Sequence, residues 1–454
     1  MDLTQLIKKY ATSGPRYTSY PTAPQWTENL KIERYQEQLK KSFSGNTEPI
    51  ALYIHIPFCE ALCFYCGCNI QITKDHSKSG VYIEALIKEL KTVSETIGRR
   101  QTLSQISWGG GTPTFMTSQE IERLHLATLK YFDLAEGAEV SIEIDPRVTS
   151  NEQLSTLRRL GFNRVSLGVQ DFNENVQKAV NRIQSIELTS NMLKFCRELG
   201  FQGINFDLIY GLPLQTKRSF HKTLQQVIAL RPDRIALYNY AHLPSLRPHQ
   251  KIMDKFERPD SEDRLAIFSD GYTEFTQNGY RSIGMDHFAL ESDELFLAIE
   301  KETLYRNFMG YTVKRGAGMI GIGASAIGEV GGNYFQNTRE TMPYQDSIAH
   351  EGLSSFRWCL LTSDDVQRKW IIQQLMCKFV LRFEDYRSLF NHSFEITFQN
   401  EIKLLSEFAS EGILTVDSQG IVITDLGRLF IRNVAMIFDA YLSLPTQATY
   451  SKTL

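Results

Sequence analysis

The residues with the clearest chemistry stand in one short loop. In HIPFCEALCFYCGCN, residues 55–69, the cysteines at 59, 63 and 66 are spaced C-x3-C-x2-C, and Cys68 adds a fourth thiol. Three thiolates this close can wrap one [4Fe-4S] cluster and leave one iron without a protein ligand. An open iron suits the reductive cleavage of a sulfonium: S-adenosylmethionine chelates it through amine and carboxylate, accepts an electron and releases a 5′-deoxyadenosyl radical. A structural zinc knuckle on all four thiols is the competing reading, although zinc ligands usually pair across a longer insert. Cys68 is separated from Cys66 by one residue. Strain makes it a poor fourth ligand and points to a catalytic or cofactor-contacting role. Cys196, Cys359 and Cys377 lie in helix-like sequence and read as buried small hydrophobes.

The elements that must position this loop alternate. Six strand-like runs, ALYIHIP, ISWGGGTP, VSIEID, RVSLGVQ, INFDLIYG and RIALYNYA, fall between residues 51 and 241, with amphipathic helical stretches between them such as Val81 to Val93. Such βα units predict parallel strands joined by right-handed crossovers. The fold class expected is α/β, a partial (β/α)6-type barrel, with a flat doubly wound sheet as the alternative. Either places functional groups at the C-terminal ends of the strands. There stand the Gly109-Gly110-Gly111 run, whose bare backbone admits a close ligand, and Glu143, a carboxylate suited to a cofactor amine or ribose or else to a salt bridge with Arg147. Gln170, Arg182 and Asp207 follow from the fourth and fifth units.

The final 90 or so residues read as helices around an ILTV–DSQG–IVIT hairpin, a small winged-helix-like α+β domain. The expected division is an N-terminal segment (1–50) closing over the barrel, a barrel domain with extensions (51–360) and the C-terminal domain (361–454). Lys plus Arg (49) nearly balances Asp plus Glu (52), so no whole-molecule field attracts nucleic acid. Hydrophobic residues at 42% and charged residues at 22% suit a folded globular chain. No apolar run approaches a membrane span, and the N-terminus lacks a signal peptide's apolar core. A cytoplasmic monomer is expected, and cysteines there serve metal or redox chemistry rather than disulfides.

With Tyr65 before the third cysteine, the loop resembles the motif of the radical S-adenosylmethionine superfamily. HIPFC, CGCN, WGGGTPT, IEIDPR, GVQDFN, VNR, DLIYGLP, YNYAHLP, GMDHFA and NFMGYT, with SGPRYTSYPTA upstream, together resemble its oxygen-independent coproporphyrinogen III dehydrogenase family. The resemblance implies a cluster on Cys59, Cys63 and Cys66 and two S-adenosylmethionine molecules. Its reaction is oxidative decarboxylation of two propionates of coproporphyrinogen III, giving protoporphyrinogen IX in haem synthesis. It implies that Tyr53, Gly110 and Ile327 lie around the first molecule and Gly111, Thr112, Gln170, Arg182, Asp207 and Ala241 around the second, with Tyr65 and Glu143 also contacting cofactor. Catalytic roles fall to Cys68, Tyr53 and Arg182. Cys68 also favours the decarboxylase over a haem-trafficking branch of the same fold, which carries an aromatic there. A reductant such as flavodoxin is implied. Arg16 is a candidate to hold a substrate propionate. Met309 stands where the family pattern has glutamine, and a thioether cannot replace an amide's hydrogen bonds.

Overall fold

A computed structural model describes residues 3–29, 31–442, 450 and 452–453. Its chain forms two compact units, Thr27–Glu274 with Lys314–Leu360, and Met1–Trp26 with Phe275–Val313 and Leu361–Leu454. These units are not the sequential parts that the sequence suggests. Residues 27–50 belong with the barrel because the helix Ile32–Phe43 buries Tyr35, Leu39 and Phe43, with Tyr35 against Phe335 at 4.9 Å.

In the barrel unit the six expected runs are strands: β1 (Ile50–Ile56), β2 (Thr102–Gly110), β3 (Asp133–Ile144), β4 (Arg164–Gln170), β5 (Gly203–Tyr210) and β6 (Arg234–Asn239). Between them run α1 (Ser77–Ile97), α2 (Ser118–Tyr131), α3 (Asn151–Arg159), α4 (Ile186–Glu198) and α5 (Lys217–Leu230). Thr117 and Ser150 start α2 and α3 with reciprocal capping boxes, in which side chains satisfy otherwise orphaned N–H groups. The six strands pair in parallel and in chain order. That order never reverses, so the sheet is wound as a barrel and the doubly wound alternative is excluded. Unforeseen is β7 (Met319–Ile322), parallel to β1 on its far side. It continues into antiparallel β8 (Ile327–Val330), β9 (Asn333–Gln336) and β10 (Arg357–Cys359).

The β7–β8 turn is fastened by a buried carboxylate. Glu89, on α1, accepts from the Gly323 N–H at 2.9 Å, the Asn337 amide at 2.7 Å and the Tyr344 hydroxyl at 2.6 Å. Beside it the Tyr82 hydroxyl donates to the His55 carbonyl at 2.9 Å and accepts from the Ala324 N–H at 2.7 Å. One polar knot therefore sets both the end of β1 and the turn leading to Ile327.

In the other unit, the helix Ser363–Lys378 starts on a Thr362 capping box and ends at Phe379, whose left-handed φ of 59° breaks the helical run. The sequence suggests a helix from Val366 to Val380, whereas the observed one starts earlier and ends at Lys378. Val380–Arg382 is instead a strand, joined with Gly420–Ile423 and Leu414–Val416 in one small sheet, order 380–382, 420–423, 414–416. With the helices Phe383–Phe390 and Gln399–Ser410 this is the winged-helix-like arrangement expected. The first residues are built into it: Asn433 donates to the Tyr10 carbonyl at 2.9 Å, and the Tyr10 ring stacks on Phe408 at 4.8 Å. Arg16 pairs with Asp286, so its guanidinium already has a carboxylate. Phe308 and Met309 form the turn between strands Tyr305–Asn307 and Gly310–Thr312. The Met309 N–H donates to Asn307 Oδ1 at 2.8 Å, and its side chain is half-buried. Among the described residues no helix is long and apolar enough to cross a membrane.

Burial pushes the Glu89 carboxyl up to about 7 against its three hydrogen bonds. A raised carboxyl value means its stabilising contribution is present below the ordinary carboxyl pKa and is lost as pH rises through about 7. Denaturant unfolding at pH 5 and pH 8 is therefore expected to show a loss of stability on going to pH 8 that is clearly smaller in Glu89→Gln. An equal loss in both proteins would show that Glu89 does not titrate in this range.

Candidate active site

The cysteine loop is held at both ends and pinned in the middle. After β1, Phe58–Cys59 pairs in parallel with Gln71–Ile72, and the Thr73 N–H donates to the Cys59 carbonyl at 2.9 Å. Phe58 is buried against Tyr82 and Phe115. Within the loop the Phe64 N–H donates to the Val180 carbonyl at 3.0 Å and the Asn181 amide to the Leu62 carbonyl at 2.8 Å. Phe64 and Tyr65 pack against Val176, Val180, Leu212, Tyr240 and Met253. These aromatics anchor the loop by apolar burial.

The thiols converge closely enough to feel each other's charge. Burial pushes Cys59 up to about 12 despite its contact with the Thr112 hydroxyl at 3.4 Å, and Cys66 and Cys63 push it the same way. Cys66 is drawn down to about 7, first by a hydrogen bond from Cys68 and further by Arg247 and Arg182. Cys63 takes contacts from Arg147 Nη2 at 3.5 Å and Arg182 Nη1 at 3.7 Å. Both arginines also hold Asp145, at 2.6 Å and 3.0 Å. Two guanidiniums share one carboxylate, so a net positive charge faces Cys63. Burial opposes ionisation of Asp145, but Arg182 and Arg147 keep its carboxyl below the usual range. Converging thiols with cationic neighbours suit a metal cluster, because the ligand form is the thiolate.

The strand ends complete the wall. Glu143 accepts from the Gly110 N–H at 3.1 Å, and the expected alternative, a salt bridge to Arg147, is absent because Arg147 goes to Asp145. Glu143 is pushed up to about 7 by burial and then by Asp207. Glu143 and Cys68 expose side-chain surface and yet are desolvated by the protein around them. That pairing marks groups lining a concave recess. Gln170 sits on a bulge of β4 with φ 68°. Its Oε1 and the Arg182 Nε are buried without partners among the described residues, acceptor and donor positions that a ligand would satisfy. Asp207 accepts from Ser166 at 3.0 Å and Asn205 at 2.9 Å. Ala241 lies just past β6, and Ile327 begins β8. The Arg182 guanidinium is held by Asp145 at 3.0 Å and by the Gly168 carbonyl at 2.6 Å.

The glycine run serves the protein as well as any ligand. A Cβ on Gly109 would lie 2.9 Å from the Glu143 carboxyl, one on Gly110 2.5 Å from the His55 ring, and one on Gly111 2.7 Å from the Phe58 carbonyl. Gly110 also holds φ +113°, which side chains rarely adopt. His55 bridges the Tyr53 hydroxyl at 3.0 Å and the Asn69 carbonyl at 2.9 Å. Burial draws it down to about 4, so it is neutral. Asp145 and its two arginine contacts escaped sequence reasoning, since IEIDPR offers two carboxylates to one arginine and only the strand's direction chooses between them.

The chain was compared with known proteins. Residues 53–227 match the family model described as the radical SAM superfamily. The oxygen-independent coproporphyrinogen III oxidase of Pseudomonas aeruginosa is 42% identical over 451 residues, covering 99% of this chain and 98% of the relative. That of Escherichia coli is 41% identical, covering 96% and 95%. A solved coproporphyrinogen III oxidase from Escherichia coli, described as a radical SAM enzyme, superimposes with a TM-score of 0.90 at 39% identity, over 96% of this chain and 98% of that one.

Gly110→Ala is expected to displace His55 and lower stability by about 2–4 kcal/mol, combining overpacking with backbone strain. Gly98→Ala, at φ +79° with nothing near its Cβ, carries the strain alone and is expected to cost about 1 kcal/mol. Equal losses in denaturant unfolding would show that the His55 contact does not constrain residue 110.

Proposed function

The chain belongs to the radical S-adenosylmethionine superfamily and, within it, to the oxygen-independent coproporphyrinogen III oxidases; on that premise we propose that it converts two propionates of coproporphyrinogen III to vinyls. The observation that supports this best is the group of converging thiols beside a recess lined by strand ends. A cluster held on the cysteine loop would supply the electron for reductive cleavage of the S-adenosylmethionine sulfonium, the radical chemistry by which hydrogen would be removed from the propionate carbon next to the ring.

In this reading Cys59, Cys63 and Cys66 hold the cluster. Glu143 would accept an N–H hydrogen bond from the same cofactor amine that reaches the open iron. Tyr53, fixed by neutral His55, lines the first cofactor position with Tyr65, the Gly110 backbone and Ile327. A second molecule lies against Gly111, Thr112, Gln170, Arg182, Asp207 and Ala241, where the unpartnered Gln170 and Arg182 atoms stand ready for it. Arg182 acts mainly by holding Asp145 and biasing Cys63. Cys68 faces the recess and serves turnover rather than iron binding. The enzyme acts as a monomer in the cytoplasm, where a one-electron donor of the flavodoxin class would pass an electron to the cluster and an external acceptor would take the electron left by each decarboxylation.

Reconstituted anaerobically, the protein is expected to hold about four irons. Serine at position 59, 63 or 66 should abolish that, and Cys68→Ser should keep the iron but stop turnover. Zinc retained in place of iron would contradict the cluster reading.

Met309 tests the substrate step separately. If an amide at this place contacts cofactor or propionate, Met309→Gln should raise the rate of vinyl formation about five- to hundredfold, worth about 1–3 kcal/mol, with iron content unchanged. An identical rate in both proteins would show the amide to be dispensable here. Deoxyadenosine with no vinyl product in either would point to another substrate.

A further inference from the structure

The cluster loop is gripped by a segment that the assignments above leave unused. Past β6 the chain turns back on itself, with the Arg247 N–H donating to the Leu243 carbonyl at 2.8 Å, and enters the short 3-10 helix Pro248–Lys255. Three side chains from this stretch donate to three consecutive carbonyls of the cysteine loop. Gln250 Nε2 reaches the Tyr65 carbonyl at 3.1 Å, and His249 Nε2 the Cys66 carbonyl at 2.9 Å. Arg247 reaches the Gly67 carbonyl through both Nε at 3.1 Å and Nη2 at 2.7 Å. Gln250 is 2% exposed. It also donates to the Ala241 carbonyl at 3.3 Å and accepts from the Leu243 N–H at 2.6 Å, so its position is over-determined.

Such a match is more than loop packing requires. Carbonyls on a short surface loop are ordinarily satisfied by water. Here each of the three peptides flanking Cys66 is oriented by a donor on one rigid segment. Arg247 differs from the other guanidiniums nearby. Arg147 and Arg182 are held by Asp145, whereas Arg247 makes no ion pair among the described residues and is directed onto the loop backbone. Its guanidinium sits on the Gly67 carbonyl, in the residue directly after Cys66. A fixed positive charge and aligned peptide dipoles stabilise the more negative, reduced state of a thiolate-held cluster.

We propose that Arg247, His249 and Gln250 form a strap that fixes the Cys66–Cys68 backbone, and that Arg247 is the charge within it that raises the cluster's reduction potential. They are positioning residues that act through the loop. The inference rests on the cluster reading of Cys59, Cys63 and Cys66, and it makes the strap part of how an external donor can fill the cluster.

The experiment is an anaerobic redox titration of the reconstituted full chain, followed by the electron paramagnetic resonance signal of the reduced cluster. Arg247→Gln is expected to retain its iron with a more negative midpoint. At a fixed potential its ratio of reduced to oxidised cluster should be roughly tenfold lower, the effect of one partly screened charge at close range. Arg247→Lys, which keeps the charge, should lie near the native value. His249→Phe, which leaves Arg247 in place, should shift the midpoint less and in the same direction. If Arg247→Gln cannot hold iron, the His249→Phe shift decides. An unchanged midpoint in Arg247→Gln, or in His249→Phe where it decides, would overturn the proposal. So would Arg247→Lys moving as far as Arg247→Gln. A native protein with no iron-dependent signal would instead overturn the cluster reading beneath it.

Discussion

The barrel unit turns on one electrostatic problem, that the proposed cluster would need three neighbouring, partly or fully buried cysteines of one loop as thiolates. Anionic sulfurs repel one another, and burial disfavours the anion, as the thiol of Cys59 pushed up to about 12 illustrates. The fold answers with positive charge and rigidity. Arg147 and Arg182 present a net positive charge to Cys63 while sharing Asp145. The apolar anchoring of Phe64 and Tyr65 removes the loop's freedom to relax the sulfurs apart. In the proposed cluster, iron binding would complete what the side chains begin, since metal bonds offset the cost of ionising each thiol.

The parallel sheet makes this economical. Each β-to-α passage delivers a few side chains to the same side of the sheet, and residues far apart in sequence meet there. Glu143 from β3 meets the Gly110 N–H from β2, while Asp207 from β5 raises the carboxyl further. Gly110 lets the backbone pass the His55 ring, which in turn holds the Tyr53 hydroxyl. The Glu89 and Tyr82 knot beneath fixes the His55 carbonyl and the turn into β8. A substitution at any of these points disturbs several others, because neighbours in one hydrogen-bonded network do not act independently.

Much of this was legible in the sequence. The six strands follow from short β-rich runs at regular intervals, and each overlaps its expected run, although the third begins seven residues early at Asp133. The cysteine spacing and the glycine run mark the recess because they are local patterns. Pairings between distant segments were not legible. Nothing in IEIDPR tells that Arg147 prefers Asp145 to Glu143, and nothing in residues 247–250 marks them as partners of carbonyls 180 residues upstream. The compact units also cross the sequential order, with residues 275–313 joining the two termini. A hydrophobic pattern states that a segment is buried without stating against what. The strand Val380–Arg382 was missed for a simpler reason: three residues after a helix carry too little periodicity to announce it.

The central claim is that the recess brings S-adenosylmethionine to the iron left open by Cys59, Cys63 and Cys66. Electron–nuclear double resonance on the reduced, reconstituted protein tests it directly, using S-adenosylmethionine labelled with 15N at the amine and 17O at the carboxylate. The account predicts hyperfine coupling from both labels in the native protein and their loss or marked weakening in Glu143→Ala at unchanged iron content. A reduced cluster whose spectrum carries no coupling from either label would contradict it.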